Sequence, residues 1–233
     1  MKKQKKIVVM TGAGMSAESG LKTFRDANGL WEGHDVMEVA SPQGFQKNPE
    51  LVLEFYNQRR RQLLSVHPNA GHQALVHLEE RFEVQIVTQN VDNLHEKAGS
   101  TQVLHLHGEL LKVRSVQNEE LVLHWEKDLV LGDLDENGHQ LRPHIVWFGE
   151  MVPLLEDAAR QTQQADIVII IGTSMQVYPA ASLIHYAPPQ VPIYFVDPAP
   201  AVNPSDFVNL TILQQTAAEG EPPMVHELLE KEG

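Results

Sequence analysis

The sequence contains no cysteine. This absence excludes disulfide bonds, a thiolate nucleophile and any zinc site built on cysteine ligands. Long hydrophobic runs are also missing, because the longest strongly apolar run, residues 167–171, is far too short to span a bilayer. The basic N-terminus leads into an equally short apolar run that does not resemble a signal peptide, so we expect a cytoplasmic protein without membrane contact.

Positive charge is scarce in this chain. Lysine and arginine total 18 against 31 aspartates and glutamates, which gives a formal net charge of −13. A surface of this sign repels a phosphate backbone, so nucleic-acid binding is not expected. The charge instead favours cationic partners, such as lysine-rich protein segments. The sequence shows no internal repeat, and although it leaves the oligomeric state open, we favour a monomer.

Four short apolar runs, rich in β-branched residues, each end in a polar or glycine-rich loop. They cover residues 7–10, 84–87, 167–171 and 193–196, and helical patterns lie between them at about 49–62, 69–80 and 154–164. This alternation predicts an α/β fold, a Rossmann-like, mostly parallel sheet with helices on both faces, in a single domain over residues 1–233. Ligands of such sheets bind beyond the carboxyl ends of the strands.

The stretch 113–141 interrupts this alternation. It is polar and carries a hairpin-like turn signal at Asp135-Glu136-Asn137-Gly138, so we interpret it as a small inserted module. The apolar residues expected to pack it against the main domain are Leu121, Leu123, Trp125 and Leu141. At the other end of the chain, residues 219–223 are predicted to be a linker before a short helix at 224–231.

A glycine-rich segment follows the first apolar run at once. Gly12, Gly14 and Ala17 give the spacing Gly-x-Gly-x-x-Ala, a relaxed form of the dinucleotide-binding pattern. Glycine lacks the Cβ that would keep a diphosphate away from backbone N–H groups. Alone, the pattern is equally typical of a strand that ends in a tight turn.

The loops after the second and third runs are also polar. Gln89, Asn90 and Asp92 carry amides and a carboxylate that suit an uncharged carboxamide such as nicotinamide, although an Asx-rich turn would use them too. The segment Gly172-Thr173-Ser174 offers contacts to a ribose or phosphate, or else simply begins a packed helix.

Two histidines, His105 and His107, stand two residues apart in an extended segment, so their side chains point to the same face. Such a pair can ligate a metal, or one member can act as a general base while the other is structural. A histidine that is merely packed and hydrogen-bonded is the commoner case, and the pattern alone leaves these options open.

Taken together, these segments resemble the sirtuins, the family of NAD-dependent protein lysine deacylases. The matching pieces occur in family order over roughly residues 7–200. They are Gly12-Ala13-Gly14-Met15-Ser16-Ala17-Glu18-Ser19-Gly20, Thr23-Phe24-Arg25, Thr88-Gln89-Asn90-Val91-Asp92, His107-Gly108, Phe148-Gly149-Glu150 and Gly172-Thr173-Ser174. Six ordered motifs are together far more specific than any one of them.

The resemblance implies a role for each matching position. His107 would be the general base, with Asn90 and Asp92 as further catalytic residues. NAD would be consumed as a co-substrate, and the acyl group would pass from a modified lysine to its ribose, with nicotinamide and O-acyl-ADP-ribose as products. The residues implied to bind NAD are Gly12, Ala13, Gly14, Ser16, Phe24, Arg25, Gln89, Asn90, Asp92, Gly172, Thr173, Ser174 and Asp197, the last in place of the family's usual Asn.

The resemblance also places the acylated lysine of a protein substrate. Phe148-Gly149-Glu150, with Val146 before them, would pair with the substrate backbone as an added strand. Tyr56 and Arg59 lie three residues apart on one helix face, and with Ala40 they resemble the desuccinylase-like sirtuins. A guanidinium and a phenol can bind a terminal carboxylate, so we expect removal of succinyl and also of acetyl groups. A solvated helix face is the alternative for Arg59.

The chain departs from the family in its small module. Most sirtuins hold a structural zinc there with four cysteines, and this chain has none, so the module is predicted to be metal-free. A hydride-transferring dehydrogenase is a weaker interpretation, because no acidic residue ends a clear second strand about 20 residues after the glycines. A non-catalytic NAD or ADP-ribose sensor and a protein ADP-ribosyltransferase stay open as alternatives.

Overall fold

The structure is a computed structural model that describes residues 4–22, 30–31, 33–203, 205 and 207–231. In its first half the elements are β1 (Lys6–Thr11), α1 (Gly14–Ala17), β2 (Leu30–Trp31), β3 (His34–Asp35), α2 (Val36–Val39), α3 (Pro42–Lys47), α4 (Pro49–Ser65), α5 (Ala70–Leu78), β4 (Glu83–Thr88), α6 (Leu94–Ala98) and β5 (Val103–His105). Then follow β6 (Gly108–Ser115), β7 (Val122–His124), β8 (Leu141–Ile145), α7 (Leu155–Gln163), β9 (Ile167–Ile171), a 3₁₀ helix (Ala180–Tyr186), β10 (Ile193–Val196), β11 (Leu210–Leu213) and α8 (Ala217–Lys231).

Six parallel strands form the main sheet in the order β11-β10-β9-β1-β4-β5. The chain builds outward from β1 through β4 to β5, and later returns to the other side of β1 with β9, β10 and β11. The direction of building therefore reverses between β1 and β9, which is where open parallel sheets leave a crevice for ligands. The prediction of a Rossmann-like α/β sheet is confirmed.

The central strand β1 is buried on both faces. Ile7 and Val9 pack in a core with residues of α5 and α8, whereas Val8 and Met10 pack in a second core with α7 and the 3₁₀ helix. Burial on both faces explains why the strand sequences are continuously apolar instead of alternating.

Two of the predicted helices begin at side-chain caps. Asn48 accepts a hydrogen bond from the Leu51 N–H at the start of α4, and Pro49 occupies the first turn. Asn69 and His72 form a reciprocal capping box at the start of α5. These two helices and α7 are confirmed, with limits that differ from the predicted ones by at most a few residues.

The small module contains a three-stranded antiparallel sheet in the order β7-β6-β8. The stretch 113–141 singled out in the sequence begins inside β6 and ends at the first residue of β8. The buried residues beneath this sheet are Leu53, Val113, Leu129 and Leu141, with Trp125 packed against them. Leu123 lies on the edge strand β7 and is exposed, so the prediction that it packs was wrong.

The predicted linker at residues 219–223 is also wrong, because α8 runs through it without a break and contains Pro222 and Pro223. Proline has no N–H, so the carbonyls of residues 218 and 219 lose their helical partners. Burial of Met224, Val225 and Leu228 in the core shared with α5 stabilises the helix despite that loss.

Within the described part of the chain, no helix combines the length and the apolar character needed to cross a membrane.

Candidate active site

The loops after β1, β4, β9 and β10 meet at the carboxyl edge of the sheet, as the strand pattern predicts. The Gly12 N–H donates to the Ile171 carbonyl at 3.0 Å, and the Gly172 N–H donates to the Val196 carbonyl at 2.9 Å. The Gln89 N–H donates to the Thr11 carbonyl at 2.9 Å. These bonds continue the sheet beyond the strands and align the successive loops.

Glycine at the crevice has a structural reason that sequence reasoning missed. A Cβ on Gly12 would come within 2.7 Å of the Thr173 Cβ, and a Cβ on Gly14 within 2.6 Å of the Gly172 Cα. Gly172 itself has φ 58°, and a side chain there would collide with the backbone of Met15 at 2.3 Å. The three glycines therefore let the loops after β1 and β9 touch, quite apart from any diphosphate.

Polar side chains form two neighbouring hydrogen-bonded sets inside the crevice. The Ser16 hydroxyl donates to Asp92 Oδ2 at 2.9 Å, and Asn90 Nδ2 donates to the Gly12 carbonyl at 3.0 Å and approaches Ser16 Oγ at 3.3 Å. Gln89 Nε2 donates to the Thr173 hydroxyl at 3.2 Å. The structure thus brings together residues that lie up to 157 positions apart in the sequence (173 − 16).

Asp92 is the buried carboxyl group of the first set, with 5% of its surface exposed. Burial raises the pKa of the Asp92 carboxyl, while hydrogen bonds from the Leu94 N–H and the Ser16 hydroxyl oppose that rise. These two donors offset part of the effect of burial on the ionised carboxyl group.

His107 lies beside these two sets. Its Nδ1 is 3.1 Å from the Gln89 carbonyl oxygen, which can only accept a hydrogen bond, so Nδ1 carries the proton and Nε2 is the basic atom. Burial lowers the pKa of the imidazole below its ordinary value, although the bond to Gln89 opposes the shift. The ring is therefore neutral at pH 7 and able to accept a proton at Nε2.

His105 has a different environment from its neighbour two residues on. Its Nδ1 contacts the Asn90 carbonyl at 3.0 Å and its Nε2 contacts Glu96 Oε1 at 2.7 Å. Both ring nitrogens are engaged in hydrogen bonds, which leaves no lone pair for the shared metal site that the His-x-His spacing allowed.

A cluster of packed aromatic side chains, here called the aromatic pocket, adjoins His107 through the backbone; its rings are those of Trp31, Phe55, Tyr56 and Trp147. The Val146 N–H donates to the His107 carbonyl at 2.9 Å, and the Phe148 N–H donates to the Ala40 carbonyl at 2.9 Å. Tyr56 lies fully buried behind these segments, and its hydroxyl accepts a hydrogen bond from the Trp147 indole N–H at 3.0 Å. Burial raises the pKa of the Tyr56 phenol, so it remains a neutral O–H donor.

Arg59 occupies the same pocket and is only 8% exposed, which contradicts the alternative of a solvated helix face. Its guanidinium lies 3.4 Å from the centre of the Phe55 ring and 5.1 Å from that of Trp31. One of its nitrogens donates to the Phe55 carbonyl at 2.7 Å. The cation is thus packed against two aromatic rings, an arrangement that suits the planar guanidinium of arginine.

The comparison with known proteins now decides the family. A family model described as the Sir2 family matches residues 12–179. The chain belongs to the Sir2 family. An NAD-dependent protein deacylase from Helicobacter pylori is 57% identical over 226 residues, covering 97% of this chain and 98% of the relative. Another protein of that name from Bacteroides thetaiotaomicron is 52% identical over 223 residues, covering 93% and 94%.

Solved structures of Sir2 homologues share the fold along nearly the whole chain. A Sir2 homolog–NAD complex has a TM-score of 0.86 at 37% identity, covering 99% of this chain and 91% of the other. A mutant Sir2 homologue in complex with ADP-ribose has a TM-score of 0.87 at 38% identity, covering 98% and 93%. Both of those proteins were therefore seen with an NAD-derived ligand.

The remaining residues singled out for the Sir2 resemblance fall in several places. Phe24 and Arg25 lie outside the described residues. Ala13 and Ser174 are half-buried in the loops after β1 and β9. Asp197 is buried at the end of β10 and accepts a hydrogen bond from the Ala199 N–H at 2.8 Å.

The Phe148-Gly149-Glu150 segment of this Sir2 chain is a turn with its own anchor. The Glu150 side chain contacts Arg142 at 2.6 Å and Arg114 at 3.2 Å, so it faces the small module instead of a substrate. The N–H groups of Phe148 and Glu150 bond to carbonyls within the chain, whereas Phe148 itself is 42% exposed. Substrate pairing here would have to use the Gly149 N–H and the segment's carbonyls.

Two contributors to the site were missed by sequence reasoning. Trp147 touches Tyr56, and the Arg142 guanidinium lies 3.4 Å from the centre of the Trp147 ring. Glu96 lies beneath the crevice as the partner of His105. The only sequence signal for Trp147 is its position beside the Phe148-Gly149-Glu150 motif, and nothing local marks Glu96.

Proposed function

We propose that this chain is an NAD-dependent protein lysine deacylase that removes succinyl and also acetyl groups. Membership of the Sir2 family and relatives named NAD-dependent protein deacylase support the activity. The acyl preference rests on one observation: Tyr56 and Arg59 both pack against the Trp31 ring, close to a backbone segment that is bonded to His107.

The described residues fit NAD. The crevice at the reversal between β1 and β9 contains hydroxyls, two amides and one buried carboxyl group. When bound, NAD supplies a ribose that accepts the acyl group and a nicotinamide that leaves, with one water completing the balance. The residues proposed to hold it are Gly12, Ala13, Gly14, Ser16, Gln89, Asn90, Asp92, Gly172, Thr173, Ser174 and Asp197, with Phe24 and Arg25 added from the sequence.

Different residues of the protein bind NAD and transfer the proton. Asn90 and Asp92, fixed by Ser16, present an amide and a carboxylate to the carboxamide and ribose. His107 takes a proton from a ribose hydroxyl at Nε2, the atom left basic by the Gln89 bond. Positioning of the two reactants in adjoining pockets contributes more than the base does.

The acyl end is held by Tyr56 and Arg59. The neutral Tyr56 phenol donates one hydrogen bond, and the Arg59 guanidinium adds charge-assisted bonds to a terminal carboxylate. An acetyl group has no such carboxylate, so it would fill the aromatic pocket without these bonds. Ala40, Val146 and the turn at residues 148–150 line the entrance for the lysine-bearing segment.

The test follows matched acetyl-lysine and succinyl-lysine peptides with NAD by mass spectrometry. Arg59→Met should lower kcat/KM for the succinyl peptide about 10- to 100-fold more than for the acetyl peptide, since it removes charge-assisted bonds. Arg61→Met is the matched control, because Arg61 is exposed and pairs with Glu54 and Asp128. His107→Ala should slow both reactions by about 10²- to 10⁴-fold.

Other outcomes point to other functions. ADP-ribose left on a protein would identify a transferase, and NAD binding without turnover of either peptide would identify a sensor. Equal losses on both peptides with Arg59→Met would refute the acyl assignment while leaving the deacylase intact.

A further inference from the structure

The histidine two residues before His107 has no role in the proposed chemistry, yet it is firmly held. Only 7% of the His105 side chain is exposed, at the end of β5 beside β4. Its ring bridges the Asn90 carbonyl at 3.0 Å and Glu96 Oε1 at 2.7 Å. The two histidines therefore bind successive carbonyls of the β4 loop, His107 that of Gln89 and His105 that of Asn90.

The two rings differ in protonation. A carbonyl only accepts, so His105 Nδ1 carries a proton, and the short contact of Nε2 with the Glu96 carboxylate gives that atom a proton too. Burial alone would lower the pKa of His105, but Glu96, the Asn90 carbonyl and Glu109 outweigh it and raise the pKa above the ordinary value. His105 is thus a charged clamp, in contrast to the neutral His107.

Asn90, whose carbonyl His105 binds, lies at the centre of the crevice. The Asn90 N–H donates to the Thr88 hydroxyl at 3.0 Å, and its side-chain amide reaches the Gly12 carbonyl and Ser16. The bond from His105 fixes the backbone carbonyl of the same residue. With that bond, the N–H, the carbonyl and the amide nitrogen of Asn90 each have a defined partner.

We propose that His105, aimed by Glu96, is a positioning residue that sets the Asn90 amide for the nicotinamide end of NAD. This inference rests on the proposed function, which assigns that part of the crevice to nicotinamide. His105 bonds to the backbone carbonyl of Asn90, so in this assignment it acts on NAD through Asn90.

Neighbouring charges do not replace the clamp. Glu109 is ion-paired with Lys112, and Asp92 is already bonded by Ser16 and the Leu94 N–H. The neighbouring His95 has a pKa lowered chiefly by burial and is therefore neutral. Glu96 is 39% exposed, so its own side chain can be changed with little effect on the core.

The sharpest test uses two amide replacements of His105. The shorter amide introduced by His105→Asn puts its nitrogen in the place of Nδ1 and keeps the donor to the Asn90 carbonyl. The longer amide introduced by His105→Gln puts its nitrogen in the place of Nε2 and loses that donor. Glu96→Ala removes the group that aims the ring, and His77→Gln, at an exposed His–Glu pair, is the matched control.

We expect His105→Gln and Glu96→Ala to raise two constants about tenfold, the KM for NAD and the inhibition constant of nicotinamide. The KM for the acyl peptide and kcat should stay within about threefold of wild type. His105→Asn and the control should stay within about threefold of wild type in all four constants. Thermal melting checks that each variant is folded. If His105→Gln or Glu96→Ala does not fold, Glu96→Gln replaces it and should raise the same two constants by less than tenfold.

Several results would overturn the inference. These are an unchanged KM for NAD in His105→Gln, a parallel rise in the KM for peptide, or a His105→Asn variant as impaired as His105→Gln. If the wild type binds NAD but does not deacylate, the proposed function fails, and calorimetric NAD affinities of the same variants still decide the role of His105. If wild type binds no NAD, both fail.

Discussion

Three successive arginines on α4 show how far the environment of a residue depends on its direction. Arg59 lies in the aromatic pocket, while Arg61 is exposed and pairs with Glu54 and Asp128. Arg60 between them is fully buried and donates to the Leu110 carbonyl at 3.0 Å. Burial lowers the pKa of the Arg60 guanidinium to about 10, yet the group remains charged at pH 7. Each step of about 100° around the helix changes the function of the same side chain.

Glu221 on α8 lies in an unfavourable environment for a carboxyl group. It is fully buried, and neither carboxyl oxygen has a hydrogen-bond partner among the described residues. Its Oε2 packs against Gly71, where a Cβ would approach within 2.6 Å. Burial raises the pKa of this carboxyl well above its ordinary value, and the charge of Glu18 adds to the rise.

We therefore predict that Glu221→Gln stabilises the protein at pH 7 by about 1–3 kcal/mol, because the wild-type carboxyl group must either retain its proton or bury a charge without a partner. The folded state holds its proton more tightly than the unfolded state, so wild-type stability should fall as pH rises above about 4.5. The gain from Glu221→Gln should accordingly be small at pH 4 and larger at pH 7. Urea unfolding at several pH values measures it.

The exposed Glu119→Gln serves as the control and should change stability little at any pH. An equal gain in the free energy of unfolding at pH 4 and pH 7 would mean that the shape of the side chain at position 221, and not its ionisation, lowers the stability of the wild type.

At the scale of elements, α4 joins the main domain to the cysteine-free module. Asn57 Nδ2 donates to the Leu129 carbonyl at 3.0 Å, and the Leu129 N–H donates to Asn57 Oδ1 at 2.8 Å. Arg60 also donates to Asn57 Oδ1, at 2.7 Å. Leu53, one turn earlier, packs with Leu129 in the module core. Two hydrogen bonds of the Asn57 amide, next to an apolar cluster, thus connect the module to α4.

Asn57→Ala should lower the free energy of unfolding by about 1–3 kcal/mol, because it leaves buried backbone groups of Leu129 without partners. Hydrogen exchange should accelerate first in residues 113–141, which these two hydrogen bonds connect to α4. Gln58→Ala is the matched control, since Gln58 is exposed on the same helix and bonds only to Glu54 among the described residues. A uniform loss of protection across the main sheet would contradict this role for Asn57.

At the scale of the whole molecule, the central sheet could be predicted because its strands are apolar on both faces and end in loops with strong sequence signals. Short or solvent-edge strands gave no such signal: β5 has three residues, and β11 is buried only in part. The meeting of motif residues such as Asn90 and His107 at one edge of the sheet was predictable for a similar reason, since they follow strands directly. Glu96 and Trp147 were not, because their partners are distant in sequence and only the tertiary fold brings them into contact.

The net charge of −13 belongs to the whole molecule, and it predicts a preference among substrates. An acylated peptide flanked by lysine and arginine should be attracted by the protein's field, which salt screens over about 10 Å at 0.1 M ionic strength. Its kcat/KM should therefore fall several-fold between about 0.05 and 0.5 M NaCl, whereas a peptide flanked by glutamate should gain or stay constant. The two peptides carry the same acyl-lysine and differ only in their flanking charges. The same salt response for both peptides would therefore come from NAD binding or from the pocket, and it would show that the overall charge has no part in substrate selection.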